Sequence, residues 1–309
     1  MTNEGRYRQT EGRLWRSLGV TPTEQRVHLD RTGVTVRVQE VGEGPAVVFV
    51  HGGAIGGTSW ASLVARLPDF RCIVLDRPGC GLSDPLVSNF EDVDELGTFA
   101  DGLIVDVLDG MGLDRAYVAS TSFGGYIALR SVAAHPDRVG RMIEFGFPIG
   151  APIERVPVSM RLATVPMLGR LVATLPPTEW AVRAMLRNIG LGQALAAGRV
   201  TQEMIDWNLS LLRDTDTMRN ELEAGPRIIT PLKGMNVGLL LPASLLARIG
   251  TPVHFVWGEE DPFGGADTAR RFVAHLPNAA LELVPGAGHA VWMDDPDRAA
   301  AATRTFLGE

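Results

Sequence analysis

Ser122 lies in Val118-Ala119-Ser120-Thr121-Ser122-Phe123-Gly124-Gly125, which reads as an apolar strand, a sharp turn and the start of a helix. Small residues stand two before it (Ser120) and two after it (Gly124). A tight strand-to-helix elbow requires this, because bulk at either place collides across the turn. A serine there has its hydroxyl raised above the sheet edge, and the N–H groups opening the next helix can bind negative charge. At its ordinary pKa a serine is a poor nucleophile, so the chemistry needs a base and an acid that orients the base. His289, in the loop Pro285-Gly286-Ala287-Gly288-His289, has the placement of a base. Glu259, Glu260 and Asp261, in Gly258-Glu259-Glu260-Asp261-Pro262, are rival carboxylates. Read alone, Ser122 is also a helix-capping serine and Asp261 a turn aspartate. Ser120 fails as a nucleophile because Val118 would occupy the position that must be small.

The elements that must position these groups alternate along the chain. Strands are expected at 24–29, 34–41, 46–50, 71–75, 116–120, 139–145, 252–257 and 280–284. Helices are expected at 58–67, 93–111, 123–134, 266–276 and 297–307. The first two strands read as an antiparallel hairpin around Asp30-Arg31-Thr32-Gly33, and the later rhythm points to parallel pairing with right-handed crossovers. Ser122, Asp261 and His289 then all follow strand ends, the edge where open parallel sheets bind ligands. Between about 147 and 250 strand patterns give way to helical ones, at 158–175, 179–189 and 202–213, broken by prolines. Residues 1–22 are polar, with a short helix expected over 11–18 that packs Trp15 onto the rest.

Composition bounds the rest. The 309 residues are 45% hydrophobic and 21% charged, with a net charge of −7, so no basic stripe suggests a nucleic-acid partner. Lys233 is the one lysine. Two cysteines, Cys72 and Cys80, make no disulfide framework. No apolar run reaches the roughly 18 residues of a membrane span, and the polar N-terminus leads to the expectation of a cytoplasmic protein. No metal-ligand spacing, phosphate loop or dinucleotide fingerprint is present, so neither a metal nor a cofactor is expected.

The order Ser, Asp, His, with His51-Gly52 after the third strand and Asp76-Arg77-Pro78-Gly79-Cys80-Gly81-Leu82-Ser83-Asp84 after the fourth, resembles the alpha/beta-hydrolase superfamily over nearly the whole chain. The resemblance implies an α/β fold with a mostly parallel eight-stranded sheet flanked by helices and an inserted helical cap. It implies a core at 23–147 and 251–309 and a cap at 148–250, with residues 1–22 an N-terminal extension outside the shared motifs. By motif alignment it makes Ser122 the nucleophile, His289 the general base and acid, and Asp261 the orienting acid. It assigns the oxyanion donors to the backbone N–H groups of Phe123 and Gly53, with Ala54 as the fallback. His51 is expected to brace its loop, and Asp76 to be structural.

Departures from subfamily patterns narrow the activity. Epoxide hydrolases and haloalkane dehalogenases carry an aspartate where Ser122 stands, and proline iminopeptidases a tryptophan where Phe123 stands. Meta-cleavage carbon–carbon hydrolases have Asn before the serine and Trp after the histidine, where this chain has Thr121 and Ala290. The expectation is a serine hydrolase of a carboxylic ester, lactone or thioester. The alternatives are a carbon–carbon hydrolase, an acyltransferase or lyase on the same triad, and a non-catalytic binding member of the fold. Met160, Leu162, Met167, Leu168, Met185 and Leu186 lead to the expectation of a small-molecule substrate with an apolar part. The oligomeric state is left between monomer and homodimer.

Overall fold

A computed structural model describes residues 2–308, apart from 87–89, 91, 166–174 and 231–233. Met167, Leu168 and Lys233 lie outside the described residues, as does much of the helix expected over 158–175.

Strands β1 (Thr23–Leu29), β2 (Val34–Val41), β3 (Ala46–Val50), β4 (Arg71–Leu75), β5 (Ala116–Ser120) and β6 (Val139–Phe145) come first. A two-residue hairpin, β7 (Ile229–Thr230) and β8 (Gly234–Met235), precedes β9 (Val253–Gly258) and β10 (Ala279–Val284). The main sheet runs β1-β2-β4-β3-β5-β6-β9-β10. Within this sheet only the β1–β2 and β2–β4 pairs are antiparallel. From β4 to β10 every pairing is parallel.

Both faces of this sheet are covered, which is why its central strands are apolar without interruption. Alternation sends Val48, Val50 and Val118 to one side, packed with the helices Val93–Gly110 and Phe123–Ala134. Val47, Phe49 and Ala119 go to the other, with Trp15, Trp60 and the helix Pro296–Leu307.

Three local readings need correction. The N-terminal helix runs over Glu4–Ser17, longer than the expected 11–18. Its buried face includes Tyr7, Thr10 and Glu11, so a search for apolar periodicity underestimates it. The stretch after the glycine loop is a single turn at Gly57–Trp60 leading into Ala61–Val64, not a helix over 58–67. The region between β6 and β9 is mostly helical as expected, but it also holds the β7–β8 hairpin and a helix at Thr217–Ile228. Gly225-Pro226 hides that helix in the sequence.

The N-terminal helix joins the sheet to the helical insert. Arg37 of β2 is almost fully buried and donates to Glu11 Oε1 at 3.0 Å, Asp76 Oδ2 at 3.2 Å and Glu24 at 2.7 Å. Thr58 Oγ1 also donates to Glu11, at 2.6 Å. Further along the helix, Arg6 Nε reaches Asp214 Oδ1 at 2.9 Å, and Trp207 Nε1 donates to Tyr7 Oη at 3.2 Å. Asp214 and Trp207 belong to the insert helix Gln202–Asp214.

Candidate active site

Ser122 follows β5 by two residues and takes φ 55°, ψ −118°. Only Ser122 and Ala54 have positive φ among the described non-glycine residues, and they face the same cavity. Such strain persists where surrounding contacts over-determine the backbone, and it concentrates at functional sites. The contacts here are close. A Cβ on Gly124 would lie 2.2 Å from the Val50 carbonyl oxygen, and one on Gly52 would lie 3.0 Å from Ser122 Cβ. Although Ser122 occupies the N-cap position, its side chain makes no capping bond, so the hydroxyl is not used by the helix.

Asp261 follows β9 and His289 follows β10. His289 Nδ1 lies 2.8 Å from Asp261 Oδ2. The same carboxylate accepts the Phe147 N–H on Oδ2 and the Phe263 N–H on Oδ1, each at 3.0 Å. Three donors hold it, while Glu259 and Glu260 are exposed. Of the three rival carboxylates, Asp261 is the one joined to the histidine. The His289 backbone N–H donates to the Ile189 carbonyl at 2.9 Å, and its ring meets the Phe263 ring edge on, at 4.7 Å between centroids. No hydrogen bond joins the Ser122 hydroxyl to His289 among the described residues. Such contacts commonly tighten only when substrate is bound.

Gly52, Gly53, Ala54, Ser122, Phe123 and His289 line one cavity of about 260 Å³, roofed by the insert through Met160, Met185, Leu186 and Met218. Leu162, expected to contribute to the apolar part, is exposed instead. Phe123 opens the elbow helix, so its N–H has no partner within that helix. The glycine loop is braced as expected. His51 Nδ1 donates to the Gly52 carbonyl at 2.8 Å, and His51 Nε2 accepts the Arg77 N–H at 3.0 Å. Burial, helped by the Arg77 charge, holds His51 well below the usual histidine pKa, so it stays neutral. Asp76 accepts from the Gly57 N–H at 2.7 Å and the Leu82 N–H at 3.1 Å, a structural role away from the histidine.

Two carboxylates at the site escape sequence reasoning. Glu144 of β6 is fully buried beneath the elbow and takes a hydrogen bond from the Ser120 hydroxyl. Its Oε1 has no partner among the described residues. A Cβ on Gly125 would lie 2.2 Å from that oxygen, so the glycine makes room for it. Burial pushes the Glu144 pKa well up, opposed by the Ser120 hydroxyl and the Ser122 N–H. Ser120 thus has a partner, which its smallness alone does not suggest. Glu221, on the insert helix Thr217–Ile228, lines the cavity and pairs with Arg77 at 2.9 Å. Only the unrecognised helix could have signalled it.

The arrangement can perform acyl chemistry: a serine hydroxyl that the helix does not use, an imidazole anchored by a carboxylate, and the Phe123 N–H with no partner in its helix, at one apolar cavity. The profile of a family described as "Alpha/beta hydrolase family" matches residues 47–302. Among curated proteins, the chain is similar to 2-hydroxy-6-oxononadienedioate/2-hydroxy-6-oxononatrienedioate hydrolase 2 of Pseudomonas putida, with 28% identity over 86% of this chain and 90% of that one. Among solved structures it is similar to the 2-hydroxy-6-oxo-6-phenylhexa-2,4-dienoate hydrolase of Rhodococcus sp. strain RHA1. The TM-score is 0.76 and the identity 19%, over 94% of this chain and 99% of that one. Carboxylesterase CesB of Bacillus subtilis matches equally, with TM-score 0.76 and 19% identity over 98% of both chains.

Proposed function

The chain belongs to the alpha/beta hydrolase family, and from that premise we propose that it is a serine hydrolase acting through Ser122, His289 and Asp261. The observation that carries this reading is the His289–Asp261 hydrogen bond at 2.8 Å beside a strained Ser122 in one cavity. In the proposed sequence His289 Nε2 takes the Ser122 proton as Oγ attacks a carbonyl carbon. The Nδ1–H stays on Asp261, which stabilises the imidazolium. The oxyanion turns to the N–H groups of Phe123 and Gly53. His289 then protonates the leaving group, the acyl-enzyme remains, and water activated by the same imidazole releases the acid. The helical insert acts as the cap that shields these steps.

The bond we assign is a carboxylic ester in a neutral substrate with an apolar part. The described lining is apolar apart from a few polar groups and carries no arginine or lysine to hold a substrate carboxylate. A second reading, carbon–carbon hydrolysis, has specific support from the Pseudomonas putida relative and the Rhodococcus structure, and the curated relatives favour it over the ester reading. One assay separates the two. Wild type and Ser122→Ala are given 4-nitrophenyl esters of graded acyl length and 2-hydroxy-6-oxo-6-phenylhexa-2,4-dienoate. The ester reading predicts turnover of the esters only, falling about 10⁴-fold or more in Ser122→Ala. Turnover of the dienoate with inert esters gives the second reading its place.

A further inference from the structure

Glu221 enters the cavity from the helix Thr217–Ile228 and stands beside the glycine loop. That helix is pinned to the loop after β4 at neighbouring points. The Gly81 N–H donates to Thr217 Oγ1 at 2.9 Å, and Asn220 Nδ2 donates to the Gly79 carbonyl at 2.8 Å. The carboxylate divides its two oxygens between different tasks. Oε1 accepts Arg77 Nη2 at 2.9 Å and the Cys80 thiol at 3.2 Å. Oε2 has no hydrogen bond among the described residues and points toward Gly53, where an added Cβ would lie 3.2 Å away.

Arg77 is already committed. Its guanidinium donates to the His51 carbonyl at 3.0 Å and the Gly52 carbonyl at 2.7 Å, and lies 4.8 Å over the Phe123 ring. It offsets part of the charge of Glu221 and is not among the residues that line this cavity. A ligand therefore meets a carboxylate oxygen, in a low-dielectric cavity where charge interactions are stronger than in water. An incoming anion is repelled there, while a neutral hydroxyl or amide finds an acceptor.

We propose that Glu221 is a specificity-determining residue: it bars substrates carrying a carboxylate at the glycine-loop end of the cavity and selects neutral ones that offer a hydrogen-bond donor there. The inference rests on this cavity being the substrate site and goes with the ester reading, because the dienoate of the second reading is itself a carboxylate.

Isosteric probes test it by binding. Benzamide and benzoate are titrated calorimetrically at pH 7 into wild type and Glu221→Gln, with circular dichroism confirming that the variant folds. Wild type is expected to bind benzamide at least tenfold more tightly than benzoate. Glu221→Gln keeps an oxygen for Arg77 but loses the charge, and is expected to shrink or reverse that ratio. Equal wild-type affinities, no benzamide binding, or an unchanged ratio in the variant overturns the proposal. The wild-type ratio needs no variant. The same titration of Ser122→Ala isolates binding from catalysis, so a failure of the hydrolase reading appears in the turnover assay and not here.

Discussion

Ser120 and Glu144 act as a pair that neither residue announces. A serine two before the nucleophile is legible as a small residue, but its partner is an acid near the end of the strand β6, 24 positions on. The sequence holds no cue that Glu144 turns beneath the elbow. Burial keeps its pKa high, and the hydrogen bonds from Ser120 and Ser122 lower it only in part. The folded chain therefore retains a proton that the unfolded chain releases above the ordinary carboxyl range. The stability this proton confers is full below about pH 4.5 and is lost as pH rises toward the folded pKa. Glu144→Gln removes that dependence. Denaturant midpoints of the two proteins from pH 4.5 to 8 should converge or cross in favour of the variant as pH rises. Parallel curves would mean that Glu144 is ionised beneath the nucleophile. Asp261 was easier to read: among three adjacent carboxylates, motif alignment picks the one that meets His289.

At the scale of elements, legibility followed periodicity. The strands β2, β3, β4, β5 and β6 and the elbow helix Phe123–Ala134 match the ranges read from apolar spacing, because burial on the sheet dictates their composition. The helix Thr217–Ile228, which carries Glu221, did not. Its polar residues dock onto a loop through hydrogen bonds, and its sequence contains Gly225-Pro226. The N-terminal helix shows the same effect, since Glu11 is buried only because Arg37 awaits it on β2. Removing one partner of a buried ion pair leaves an under-compensated charge. Glu11→Ala should therefore lower unfolding stability by about 3 kcal/mol, at the lower end for such pairs because Asp76 and Glu24 still hold Arg37. Urea unfolding followed by tryptophan fluorescence reads this, and a loss below about 1 kcal/mol would show that the cluster does not fasten the helix.

Over the whole molecule, chain order carried most of the information. Five loops fall at the carboxyl edge of a parallel sheet, so residues as distant as Ser122 and His289 reach one cavity without any local signal linking them. The lining of that cavity was less legible, because the insert supplies its roof from separate helices, and the N-terminal helix holds the insert helix packed against them, Gln202–Asp214, through Arg6 and Asp214, 208 positions apart. Likeness to both a carboxylesterase and a dienoate hydrolase shows one fold beneath two chemistries, so the substrate has to be argued from the cavity. The central claim, that Ser122 is a nucleophile activated by His289, precedes the choice of bond. It is tested most directly by treating the protein with a 4-nitrophenyl alkylphosphonate and mapping the adduct by mass spectrometry. The account predicts one phosphonyl group, on Ser122, absent from Ser122→Ala and formed far more slowly by His289→Ala. An adduct on another residue, none at all, or labelling of Ser122 at an undiminished rate in His289→Ala would contradict it.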